Sequence, residues 1–219
     1  MNGIQAQVLW KVIPTCPPRI IRPCERCGRP RSFSCSEKFR VNANQKRLDA
    51  WLIYKCTSCD RTWNCTILSR VDAREVDRCL LGRLQANHRP TAWAYAFDYG
   101  LLRRNGVEVE PTIAYTIVGE DLQLDGSSHS CVTVLLTAEQ PLLVRIDALL
   151  AKKLGLSRAQ LGALFSSGGA TIDPTSGCAL RDRLKREVRI LIDRAALWSY
   201  LAAAGRRDVT CRSPRNSCQ

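Results

Sequence analysis

The chain has 219 residues, a formal net charge of +13, twelve cysteines and one methionine. Apolar residues make up 45% of it, enough for a real core, which excludes wholesale disorder. No apolar run approaches the roughly 18 residues of a membrane-spanning helix, and the first residues lack the charged and apolar regions of a secretory signal. Both absences point to the cytoplasm, where thiols stay reduced and many cysteines mean metal ligation or thiol chemistry, not a disulfide scaffold. The charge is unevenly placed. Residues 1–70 carry a net +9, residues 71–144 a net −4, and the remainder is basic again. Two basic blocks around an acidic middle suit a polyanionic partner, nucleic acid first.

Residues 14–70 hold the strongest motif. Cys24 and Cys27 form one C-x-x-C pair and Cys56 and Cys59 a second. Two such pairs suit four thiolates arranged as a tetrahedron around zinc, because two intervening residues let both sulfurs of a pair converge on one ion. Gly28 permits the turn beneath the metal. Between the pairs, Phe33–Cys35, Lys38–Val41 and Trp51–Tyr54 are β-branched or aromatic runs, and Thr62–Leu68 continues the pattern after the second pair. A turn is expected at Asn42–Asn44. Knuckle, strands, knuckle and strand make a small zinc-ribbon-like β domain, which a metal would stabilise. Cys35 is a reserve ligand. Cys16 and Cys65 lie in the same segment, and the remaining cysteines have no ligand spacing.

Residues 71–144 read as a helix pair followed by strands. Asp72 to Glu75 predicts a capping box, with Val76, Leu80 and Leu84 on one helix face. Asn87, His88 and Pro90 interrupt that helix. A second is expected from Thr91 to Asn105, with Trp93, Phe97 and Leu101 as its packing row. Strands are expected at Ile113–Val118 and from Cys131, joined by a turn at Asp125–Ser128.

Residues 145–193 read as two helices and a strand pair. Gly155 ends the first helix, and Ser157 with Gln160 boxes the start of the second. Arg145-Ile-Asp147, Leu150-Ala151, Leu156-Ser-Arg158 and Gly168-x-Ala170-x-Ile172-Asp173 resemble the S-four RNA-binding domain. That resemblance implies an ααββ module presenting basic and polar groups to structured RNA, ribosomal or transfer. It makes Arg145, Lys152, Lys153, Arg158 and Gln160 candidate contacts, joined by Arg181, Arg183, Lys185 and Arg186 of the strand connection. The sequence departs from the S-four pattern where Asp173–Gly177 replaces a shorter hairpin turn. Residues 194–219 are expected to be a C-terminal helix and a flexible basic tail.

Over nearly its whole length the sequence also resembles a bacterial group known as domain-of-unknown-function family 1062. The match is carried by Cys24-x-x-Cys27, Lys38–Lys46, Leu52–Cys56, Cys59, Thr62–Asn64 and Tyr95–Asp98. It implies no activity. There is no P-loop, no G-x-G-x-x-G after a strand, no H-E-x-x-H and no G-x-S-x-G. The expectation is therefore an α+β protein that binds zinc and RNA without catalysis. A zinc-dependent protein-interaction module and a thiol redox enzyme are the alternatives.

Overall fold

The computed structural model describes residues 6–122, 124 and 131–203, and the architecture is α+β: two five-stranded sheets, each with helices on one face. The first strand, β1 (Ala6–Pro14), belongs to the same sheet as the last. The chain then leaves it to build a different sheet from β2 (Ile20–Cys24), β3 (Arg29–Asn44), β4 (Arg47–Cys56) and β5 (Thr62–Asp72), wholly antiparallel. Period-two burial explains why this sheet has a dry face. Along β4, Leu48, Ala50, Leu52, Tyr54 and Cys56 are buried, and Asp49, Trp51, Ile53 and Lys55 alternate with them on the other side. The turn into β4 falls at Gln45–Lys46, beyond the expected Asn42–Asn44, because β3 remains paired up to Asn44 opposite Arg47.

A bulge between Cys35 and Phe39 breaks the register of β3 against β4. Glu37 takes a positive φ of 59° there. Its carboxylate accepts hydrogen bonds from Trp93 Nε1 at 2.7 Å and Arg89 Nε at 2.8 Å, which ties the strand to the helices that cover the dry face.

Those helices are α1 (Arg78–Gln85), α2 (Arg89–Ala96) and α3 (Tyr99–Arg104). The capping box expected at Asp72–Glu75 is not formed. Asp72 is still in the ladder opposite Arg47, and Asp77 caps α1 by accepting from the backbone N–H groups of Cys79 and Leu80. The single helix expected from Thr91 to Asn105 is two, since the Asp98 carboxylate accepts from Leu101 N and starts a new one. The break sends Phe97 into one core and Leu101 into the other. Asn105 then pairs its amide with both the N–H and the carbonyl of Thr66 on β5. A two-residue strand, β6 (Glu108–Val109), adds to β2, giving the order β5-β4-β3-β2-β6.

From β7 (Tyr115–Val118) onward the chain completes the other sheet with β8 (Cys131–Ala138), β9 (Ala170–Ile172) and β10 (Glu187–Asp193), in the order β7-β1-β8-β10-β9. β1 and β8 are parallel, and the whole first sheet is their crossover. Gly119 lies against β1 with φ 142°. A Cβ on it would stand 2.2 Å from the Leu9 carbonyl oxygen, so only glycine fits this approach. The expected turn at Asp125–Ser128 lies outside the described residues.

Three helices cover this sheet: α4 (Ile146–Leu154), α5 (Arg158–Ser166) and α6 (Arg194–Ala203). Gly155 is left-handed and ends α4, and the Ser157–Gln160 capping box is closed in both directions, as the sequence predicts. The basic tail expected after α6 lies outside the described residues. Among those residues, no helix is long and apolar enough to cross a membrane.

Candidate metal centre and basic surfaces

Hairpin geometry places the two cysteine pairs side by side. The β2–β3 and β4–β5 turns emerge at the same end of the first sheet, since Phe33 of β3 is opposite Cys56 and Cys24 is opposite Arg29. Each turn closes with the same bond: Gly28 N–H donates to the Cys24 carbonyl at 2.9 Å, and Asp60 N–H to the Cys56 carbonyl at 3.0 Å. The residue after each pair is left-handed, at φ 66° for Gly28 and 58° for Asp60. Glycine takes this conformation freely, and aspartate is among the few other residues that tolerate it.

All four sulfurs lie within 4.8 Å of one another. Cys24 Sγ is 3.6 Å from Cys59 Sγ, and Cys27 Sγ is 4.0 Å from Cys56 Sγ. A tetrahedron with metal–sulfur bonds of about 2.3 Å has edges of roughly 3.8 Å, so the sulfur spacing fits a metal. It is far from the roughly 2.05 Å of a disulfide. Cys24 and Cys56 are buried and Cys27 and Cys59 half-buried. Four converging thiols with this burial can hold a metal ion and leave it no open position for a substrate.

The thiols are electrically uneven. Burial pushes the Cys56 thiol up, but the N–H groups of Ser58 and Cys59 and the neighbouring thiols pull it down to about 7. At Cys59 the Arg61 N–H pulls downward, and burial and the three other thiols win, raising it to about 12. Mutual interaction thus drives the Cys56 and Cys59 thiols apart, and a cation among the sulfurs would favour the thiolate form. Neither pair stands at a helix N-terminus, the setting that makes a redox dithiol. Cys35 is not part of the cluster. It lies opposite Tyr54 on the helix-covered face, where burial pushes its thiol up to about 11.

The predicted RNA contacts fall into three groups. Arg145, Lys153 and Gln160 are engaged inside the fold. Arg145 pairs with both carboxylate oxygens of Asp147, Lys153 binds Asp121 and the Gly119 carbonyl, and Gln160 closes the capping box. Lys152 and Arg158 are exposed around Tyr115: the ammonium of Lys152 stands 4.2 Å from the ring centroid, and burial raises the phenol against the pull of Arg158. Arg181, Arg183, Lys185 and Arg186 are exposed on the segment before β10. That segment is pinned by Leu184, which is fully buried and exchanges backbone bonds with Leu142 and Val144, and by Ile146 N–H bonding to the Asp182 carbonyl. The carboxylate of Asp182 is occupied by Ala179 N–H. None of these four cations has an acidic partner among the described residues.

Sequence reasoning passed over three features. Asp60 plays the part of Gly28 in the second knuckle, and its position after Cys59 is the signal. Arg22 stacks on Trp63, 4.5 Å from the ring centroid, a contact with no local sequence signature. Beside α2, Val12, Pro14, Pro90 and Trp93 help line a cavity of about 260 Å³ at the seam of the two sheets, where the Arg89 guanidinium is already paired with Glu37.

Residues 41–175 match the model of a family described as a protein of unknown function (DUF1062), and the chain belongs to that family. The match includes the second cysteine pair and begins after the first. No curated protein and no solved structure matches the chain.

Proposed function

We propose that this is a zinc-containing RNA-binding protein without catalytic activity, acting in the cytoplasm on structured RNA, ribosomal or transfer. The first sheet is a zinc ribbon in this reading, and α4, α5, β9 and β10 form an S-four-like module. The metal would be held by Cys24, Cys27, Cys56 and Cys59, and zinc is the ion that a closed tetrahedron of thiolates suits best. Its part is structural: it joins two hairpin ends that have little apolar surface of their own. The RNA assignment rests chiefly on one observation, the exposed run of Arg181, Arg183, Lys185 and Arg186 on a backbone pinned by Leu184. Cations held on an ordered ledge neutralise phosphates with less loss of backbone freedom than cations on a loose loop.

The test is titration of a labelled transfer-RNA transcript by fluorescence anisotropy at several salt concentrations, with metal content measured on the same protein. One zinc per chain and affinity falling steeply with salt are expected. Changing the four cations to Ala should weaken binding and flatten the salt dependence by roughly one unit of slope for each phosphate no longer neutralised. Absence of salt-sensitive binding by the unaltered protein would remove the RNA reading. A protein-interaction module is the second reading. It is favoured by a face of the second sheet that no helix covers among the described residues, where Leu9 and Val118 are each 54% exposed and Ile13 39%. Capture of one protein that survives nuclease treatment would favour it.

A further inference from the structure

The metal end of the first sheet carries more positive charge than its thiolates call for. Arg22, Arg26, Arg29, Arg31, Lys55 and Arg61 surround the knuckles, against Glu25 and Asp60. A divalent ion with four thiolates adds only two negative charges, so the cations stay in excess. Some of them are already engaged: Arg61 pairs with Glu25 at 2.8 Å, and Arg26 donates to the Cys59 carbonyl at 3.3 Å.

The arginines of the β2–β3 ladder are placed differently. Arg22 and Arg31 are directly opposite each other, and Arg29 is opposite Cys24, all on one face of the ladder. Like charges facing across a strand pair are destabilising unless an anion lies between or beside them. The Arg22 guanidinium is fixed, 4.5 Å from the Trp63 ring centroid and 5.6 Å from that of Phe33. Among the described residues Arg31 Nε is buried without an acceptor, and Arg29 is exposed. Neither Arg29 nor Arg31 has an acidic partner among the described residues.

We infer that Arg22, Arg29 and Arg31 form a second RNA contact, a phosphate clamp beside the metal centre in which two adjacent strands present guanidinium groups to the RNA backbone. The clamp rests on the RNA reading above and extends it to the other sheet. Guanidinium forks match phosphate oxygens in pairs, and stacking on Trp63 holds Arg22 in place before the ligand arrives. The first knuckle joins the ends of β2 and β3, so a metal bound there would brace the clamp.

The probe is a short fluorescein-labelled oligouridylate, titrated with the full chain alongside the transfer-RNA transcript. The variants are Arg29→Gln/Arg31→Gln, Arg29→Lys/Arg31→Lys and the four-alanine change at residues 181–186. Zinc content and thermal midpoint are measured for each. The glutamine pair should keep its zinc, bind both RNAs roughly tenfold more weakly and lose about two units of salt slope. The lysine pair should retain the salt slope and lose part of the affinity, because a point charge replaces a paired fork. If the glutamine pair binds like the unaltered protein and the four-alanine variant does not, the clamp is wrong and the RNA reading survives. If the glutamine pair loses zinc and the lysine pair keeps both zinc and full affinity, these arginines only balance the thiolates, which also overturns the clamp. If the unaltered protein binds neither RNA, the RNA reading itself fails.

Discussion

The two sheets have the same number of strands and are stabilised in different ways. Among the described residues, the second sheet with α4, α5 and α6 buries a cluster of 25 residues, dominated by leucine, isoleucine and valine. The first sheet with α1, α2 and α3 buries 14, and Cys24 and Cys56 of the thiol cluster are among them. Where the apolar cluster is small, four thiols converge that can hold a metal ion, and such an ion would join the ends of the hairpins through sulfur in place of packed side chains. The contrast shows in the polar groups too. The first sheet's covered face holds Cys35, Tyr54 and Cys65, the Tyr54 hydroxyl having no partner among the described residues. The strands of the second sheet turn almost wholly aliphatic residues to their helices.

Metal removal should break the comparison most forcefully. Structural zinc contributes on the order of 10 kcal/mol of apparent folding free energy in small domains. A chelator, or Cys56→Ser, is therefore expected to abolish hydrogen-exchange protection in β2 to β5 and α1 to α3 and leave β8 and β10 protected. Simultaneous loss in both sheets would mean that Glu37, Phe97 and the seam couple them into one cooperative unit.

The converse experiment acts on the second sheet. Leu136 is fully buried in the middle of β8, and Leu136→Ala is expected to cost about 2–5 kcal/mol in urea unfolding. Zinc content should not change. A loss of zinc in this variant would show that the larger core supports the metal centre.

The smallest effect is the dependence on pH that Cys65 of the first sheet contributes. Burial raises the Cys65 thiol to about 12 from an ordinary value near 9. A group whose pKa is raised by folding stabilises the fold fully below its unfolded value and loses that contribution as pH rises towards the folded one. Thermal midpoints measured from about pH 8 to about pH 10.5 should therefore fall, and less steeply for Cys65→Ala than for the unaltered protein. Equal slopes would show that Cys65 does not titrate on unfolding.

Local signals in the sequence were reliable where a few neighbouring residues decide the outcome. The two C-x-x-C knuckles, the Ser157–Gln160 box and the Gly155 stop each depend on side chains within four positions of one another, and each is formed. Boundaries that depend on partners elsewhere moved. Asp72 looked like a helix cap and stayed in the ladder because Arg47 is opposite it. Asp98 looked like part of a helix and became a cap because the chain divides there between two cores. β1 was not predicted. The alternation of Val8, Trp10 and Val12 is a strand signal, but one strand without a neighbouring hairpin partner says nothing of where it pairs.

The α+β class, the four clustered thiols and the division of charge follow from composition and short spacing alone. Long-range pairing, by contrast, sets β1 parallel to β8 in one sheet and returns β6 to the other. The same long-range pairing set Arg22 across from Arg31 beside the thiol cluster and tied Arg145 and Lys153 to acidic partners. The reason is physical. Pairing between segments a hundred residues apart is chosen by which edge still has unpaired N–H and C=O groups, and a cation's partner by what stands opposite it. Neither is written in its own neighbours.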